Sequence, residues 1–165
     1  MSGMRKSVVA MLVVALAAVL ASGGAATPST ARLEAERLFV DAQKALAVGD
    51  DATAETLLLK SLQRDETFVS ALWQLAQINE KRGRLEAARE LMIRGLQREG
   101  DAAWAKEKLV RLETALAGRL LAEAESLMNS QRYDLAVPKL SLCMGIRPYD
   151  PRPLVRMASC HMALG

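Results

Sequence analysis

From residue 35 onward the apolar positions recur three and four residues apart instead of alternating, which predicts helices with one buried face and no strands. Leu38 with Ala42, Leu72 with Ala76, Leu120 with Ala124 and Leu154 with Ala158 each form an i, i+4 pair on one helical face. A second series interleaves with the first: Ala54, Leu58 and Ser61; Ala88, Met92 and Gly95; Ala136, Leu140 and Cys143. Two short helices per unit, closely packed through small residues, account for both series. Gly49 and Gly83 fall where the first helix of a unit must stop and turn, a place that favours a residue tolerant of left-handed backbone. Arg147-Pro148 closes the third unit, because the residue before a proline is pushed out of helical geometry.

The pattern is a repeat. Sliding the chain against itself by 34 residues superposes Gly49 on Gly83, Ala54 on Ala88, and Leu62-Gln63-Arg64 on Leu96-Gln97-Arg98. A third copy is reached at an offset of 48, so that Ala88 maps to Ala136, and a fourth begins near Pro151. The extra fourteen residues lie between Gly100 and Arg119. That length is close to four helical turns and leaves an apolar face pointing the same way, so a lengthened helix is expected. Asp101 is its expected N-cap, and Trp104, Leu109, Leu112, Leu116, Leu120 and Leu127 form its stripe. Gly118 costs such a helix about 1 kcal/mol against alanine and marks either a bend or a break. Asp134 is the expected cap of the next helix, in which case Pro138 removes only its first backbone bond.

Ahead of the repeats, Arg5 and Lys6 precede fourteen unbroken apolar residues, Val8 to Ala21, and then the small-residue stretch Ser22-Gly23-Gly24-Ala25-Ala26. These are the three parts of a secretory signal in order, over residues 1–26, followed by a linker over 27–34. Fourteen residues make about 21 Å of helix against a hydrocarbon core of about 30 Å, so a membrane span is the weaker alternative and none is expected after cleavage. Ala21-Ser22-Gly23 and Gly24-Ala25-Ala26 both fit as cleavage sites. Export to a bacterial periplasm suits the short, simple segment better than eukaryotic secretion.

Composition narrows the chemistry. The net charge of +3 falls by two, to +1, once Arg5 and Lys6 leave with the signal, so a nucleic-acid partner is not expected. One histidine and two cysteines in 165 residues leave no His-based triad, no metal site and no cofactor motif. His161 lacks a carboxylate three or four residues away to orient it and is expected to pack against a neighbouring helix. An enzyme is therefore not expected. Cys143 and Cys160 fall on facing helices but about 7 Å out of step along their axes, so two buried thiols are favoured over a disulfide.

A 34-residue period with small residues at its eighth, twentieth and twenty-seventh places resembles the tetratricopeptide repeat (TPR) family over about residues 35–165, less the insert. The alanines at 42, 76, 124 and 158 stand at the eighth place, those at 54, 88 and 136 at the twentieth, and Pro148 at the thirty-second. The chain departs from the family at its fourth place, which is Leu throughout, and at its eleventh, which is Ala45, Asn79, Leu127 and His161. The resemblance implies an all-α, right-handed superhelical stack of antiparallel helix pairs. Its repeats would cover about 35–68, 69–100, 101–148 with a lengthened first helix, and a partial 149–165.

It also implies that first helices line a concave groove for a protein or peptide partner. The groove-facing places would carry Phe39, Gln43, Trp73, Gln77, Lys81, Leu121, Glu125, Arg152 and Ser159, with Leu46 and Glu80 beside them. Phe39 and Trp73, at one equivalent place, are either exposed anchors or contacts to the next repeat. The expected function is an exported, non-catalytic adaptor, assisting assembly of a cell-envelope complex. A self-associating subunit, joined through an unpaired last helix, is the alternative.

Overall fold

Seven α-helices follow one another among residues 29–165, which are the residues the computed structural model describes. They are α1 (Thr30–Ala47), α2 (Asp51–Arg64), α3 (Val69–Lys81), α4 (Leu85–Arg98), α5 (Ala103–Asn129), α6 (Tyr133–Ile146) and α7 (Pro151–Leu164). The expected signal, 1–26, lies outside the described residues. Helix α1 starts five residues ahead of the expected repeat boundary, because the Ser29 hydroxyl accepts the Arg32 N–H at 3.2 Å and caps the helix there.

Helices α1 and α2, α3 and α4, and the C-terminal half of α5 with α6 form three antiparallel hairpins; α7 packs on α6. The turns between paired helices are alike. Gly49 (φ +79°), Gly83 (φ +72°) and Gln131 (φ +59°) occupy equivalent left-handed positions. Behind each, one backbone N–H closes on the carbonyl five residues back: Asp50 on Ala45, Arg84 on Asn79, Arg132 on Leu127, all at 2.9 Å.

Inside the hairpins the repeated small residues form the contact. Ala42, Ala54, Ala76, Ala88, Ala124 and Ala136 are fully buried, and the neighbouring Leu58, Met92 and Leu140 fill the space they leave. In the first hairpin the Ser61 hydroxyl donates to the Ala35 carbonyl at 2.8 Å; in the third, the Cys143 thiol reaches the equivalent Ala117 carbonyl at 3.5 Å.

Helix α5 runs unbroken through Gly118 and serves two hairpins. Its N-terminal half packs on the second hairpin through Ala105 and Leu112, with ion pairs from Lys108 to Glu80 and from Arg89 to Glu113. Its C-terminal half pairs with α6. One core therefore extends from Ala35 to Leu112 and a second from Leu121 to Cys160, joined by a small cluster of Leu116, Ala117, Leu120 and Cys143 with Leu85 and Ile146.

Three local expectations change. Asp101 does not cap α5; Ala102 stands at that place without a side-chain bond, and burial of Ala105 sets the helix start. Asp134 is not a cap either, since α6 begins at Tyr133 with Arg132 ahead of it. Pro138 consequently sits inside α6 and deprives the Asp134 carbonyl of its usual donor. His161 is exposed rather than packed, because no second helix follows α7 among the described residues. Both cysteines are free and buried, and desolvation pushes the Cys143 thiol above its ordinary pKa.

Candidate functional site

Gln74, Gln77, Ile78 and Lys81 recur at three- and four-residue steps, so α3 presents them on one face. That face opens on a cleft of ≈ 420 Å³, closed at its sides by Leu46 from α1, Asp51 from α2 and Lys108 from α5. Lys81 Nζ meets Asp51 Oδ2 at 2.6 Å and Lys108 Nζ meets Glu80 Oε2 at 2.5 Å. The cleft thus sets two amides between two ion pairs, each of which joins a different pair of helices. Both pairs sit half-exposed at the rim, where ion pairs contribute on the order of 0–1 kcal/mol, so an incoming polar chain can displace either one at small cost. Carboxamides donate and accept at once, which matches the alternating N–H and C=O groups of an extended backbone.

The residues expected to line a groove divide into several groups. Gln77 and Lys81 lie in the cleft, together with Leu46 and Glu80. Gln43 is exposed on α1. Phe39 and Trp73 are half-buried against the start of the next helix pair: Phe39 meets Phe68, the residue just ahead of α3, edge-on with centroids 5.2 Å apart, and Trp73 meets Trp104 of α5 at 4.6 Å. Arg32 completes the first pair, its guanidinium 4.2 Å above the Phe68 ring and bonded to Asp65 at 2.8 Å. Repetition of an aromatic at one place in the period therefore serves stacking of repeats, the second of the two expectations for these side chains.

Leu121 is buried in the second core and does not face a groove. Glu125 is committed to Arg156 of α7, Arg152 to Asp150, and the Ser159 hydroxyl donates to the Val155 carbonyl at 3.2 Å. Leu121 stands 48 residues beyond Trp73, at the same place in the period, and like Trp73 it packs toward the following unit. The third hairpin is shifted along α5 by the insert, so its first-helix face no longer continues the row begun by α1 and α3, and Lys108 from the insert takes the neighbouring place instead. Lys108, Asp51 and Gln74 escaped the sequence analysis because they stand outside the family's groove-facing places. Among the described residues no group of three or more His, Cys, Asp or Glu side chains could hold a metal ion, and no helix is long and apolar enough to cross a membrane.

No protein-family model and no curated protein matches the sequence. Solved structures do match. The crystal structure of the P58(IPK) TPR domain aligns over 78% of this chain with a TM-score of 0.50 and 18% identity. The fold is TPR-like. The chain spans 36% of the length of that structure's chain. Two further similar structures are a mutant O-GlcNAc transferase of Thermobaculum terrenum and the first TPR of Spaghetti (RPAP3) bound to an HSP90 peptide. The transferase matches with a TM-score of 0.40 and 17% identity over 81% of this chain and 23% of its own. The Spaghetti domain matches with a TM-score of 0.38 and 11% identity over 81% of this chain and 94% of its own.

Proposed function

We propose that this chain is an exported, non-catalytic scaffold that grips an extended segment of a protein partner in the α1–α3–α5 cleft and assists assembly of a cell-envelope complex. A TPR-like, all-α solenoid supports a role in protein–protein interaction in general. The observation that carries the finer reading is the pairing of Gln74 and Gln77 between the displaceable Lys81–Asp51 and Lys108–Glu80 ion pairs. Export rests on the order of basic, apolar and small residues over 1–26, and the short, simple form of that segment favours the periplasm over secretion.

The test is capture from envelope extract by the wild type and by a Gln74→Ala/Gln77→Ala/Lys81→Ala variant. Loss of a wild-type partner from the variant, at unchanged melting temperature, supports the cleft; equal capture by both removes it. Cell fractionation of the full chain checks export separately, since a product retained whole in the cytoplasm contradicts it. The alternative, a self-associating subunit, predicts a concentration-dependent oligomer in light scattering where a lone scaffold runs as a monomer.

A further inference from the structure

The second helix of each hairpin turns one face away from its partner. On α2 that face carries Thr53, Thr56 and Lys60, and at the equivalent places α4 carries Ala87, Glu90 and Arg94. On α6 the same places hold Leu135, Pro138 and Leu142. Leu135 is 39% and Leu142 50% exposed, so α6 is apolar on its outward side as well as on the side that Ala136 and Leu140 bury. Ser141 runs the other way, standing where α2 and α4 carry Leu59 and Ile93.

The face is complementary to itself. Leu135 and Leu142 stand seven residues apart, close to two helical turns, and so do Asp134 and Ser141 on the neighbouring line, with Pro138 midway in both pairs. A two-fold axis through Pro138, setting two such helices antiparallel, brings each Leu135 against Leu142 of the other copy and each Asp134 against its Ser141. Pro138 has no N–H to give the Asp134 carbonyl, and the Ser141 hydroxyl of the other copy stands where it can donate instead. The same operation on α4 would set Arg94 against Ala87, and on α2 Lys60 against Thr53, desolvating a cation without a partner. A lipid surface would accept the two leucines but would also bury the Asp134 carboxylate.

We infer that the outward face of α6 pairs with the same face of a second copy of this chain, antiparallel about a two-fold axis at Pro138. The contact of one 14-residue helix with its copy falls short of the roughly 1,200 Å² of a standard interface, so the pair is weak and concentration-dependent. This rests on the self-associating reading and gives it a surface other than the last helix. The α1–α3–α5 cleft draws no residue from α6, so the two proposals stand apart.

Sedimentation velocity of the full chain over a wide concentration range is expected to show a monomer–dimer equilibrium. Leu142→Arg, which copies the residue α4 carries at this place, is expected to raise the dissociation constant at least about tenfold at unchanged melting temperature, and Leu154→Arg on α7 to leave it where it is. Pro138→Cys, on the axis, is expected to give a disulfide-linked dimer on a non-reducing gel, and Glu90→Cys, at the same place on α4, is not. A dimer that Leu142→Arg leaves intact, or that Leu154→Arg dissolves, overturns the inference while self-association stands; a monomer at every concentration overturns both. If Leu142→Arg fails to fold, the two cysteine variants decide, and no linkage at 138 or equal linkage at 90 is the contrary result.

Discussion

The indole of Trp73 lies so close to Gly95 that a Cβ built on that glycine would stand 2.3 Å from the Trp73 Nε1 atom. A side chain from one helix of the second hairpin thus fills the place that Ser61 and Cys143 occupy with their own atoms in the first and third. Alanine is the better helix former by about 1 kcal/mol, which by itself favours Gly95→Ala. Overpacking against a ring already held by Trp104 costs about 1–3 kcal/mol, and that effect wins. Gly95→Ala is expected to lower stability in urea denaturation. Trp73→Leu should relieve the clash, so the double variant loses less than the two single losses added together.

Gln131 makes the opposite case. It holds the left-handed backbone that Gly49 and Gly83 adopt at the equivalent turns, and an L-residue with a Cβ is strained there by about 1–2 kcal/mol. Gln131→Gly should therefore raise stability by about 0.5–1 kcal/mol, after allowance for the greater freedom of glycine in the unfolded chain. A fall in the denaturation midpoint would contradict this.

The bond from the Ser61 hydroxyl to the Ala35 carbonyl is fully buried. Ser61→Ala should cost about 1 kcal/mol. Ser61→Cys should lose less, because Cys143 makes the equivalent contact in the third hairpin. Chemical denaturation of the two variants side by side distinguishes them; an equal loss would show that volume alone matters at this place.

Cys143 and Cys160 are both buried in the second half of the molecule, and desolvation holds the Cys143 thiol in its protonated form. A thiol reagent at pH 8 should react slowly with the native chain and should find two thiols once the chain is unfolded. Rapid native labelling, or no thiol after unfolding without reductant, would contradict the burial or the free state respectively.

Asp150 caps α7 by accepting the Arg152 N–H at 3.1 Å, and the Arg152 guanidinium beside it holds its carboxyl at a pKa of about 2, below the ordinary 3.8. The folded-state pKa is depressed, so the stabilisation is present above about 3.8 and is lost as the pH falls through about 2. The melting temperature of the wild type should therefore drop between pH 4 and pH 2 more than that of Asp150→Ala, which has no charge there to lose. Parallel acid titrations of the two proteins check this.

The architecture was readable because Leu/Ala spacing and turn glycines are local signals. The i, i+4 pairs placed six first- and second-helix faces and the buried small residues correctly, and the register found the Gly49 and Gly83 turns. Gln131 holds the equivalent place, 48 residues beyond Gly83, and its chemistry gave no warning of a left-handed turn. Caps were harder. Asp101 and Asp134 have the right chemistry to cap, yet helix starts shifted by a residue or two to bury Ala105 and Ala136.

Taken alone, the order of residues determined the helical class, the period, the antiparallel pairing and the small residues at the helix contacts, since each follows from which side chains recur three and four apart. Tertiary structure decided which of the expected surface residues face solvent. Trp73 and Trp104 are separated by 31 positions and Glu125 and Arg156 by the same number, and nothing in the local pattern says that they meet. The insert in α5 carried Lys108 to the cleft, because a rigid helix lengthened by about four turns keeps its facing but translates everything beyond it by about 21 Å, while Leu121, at the place in the period that Phe39 and Trp73 hold, packs toward the following helix as they do.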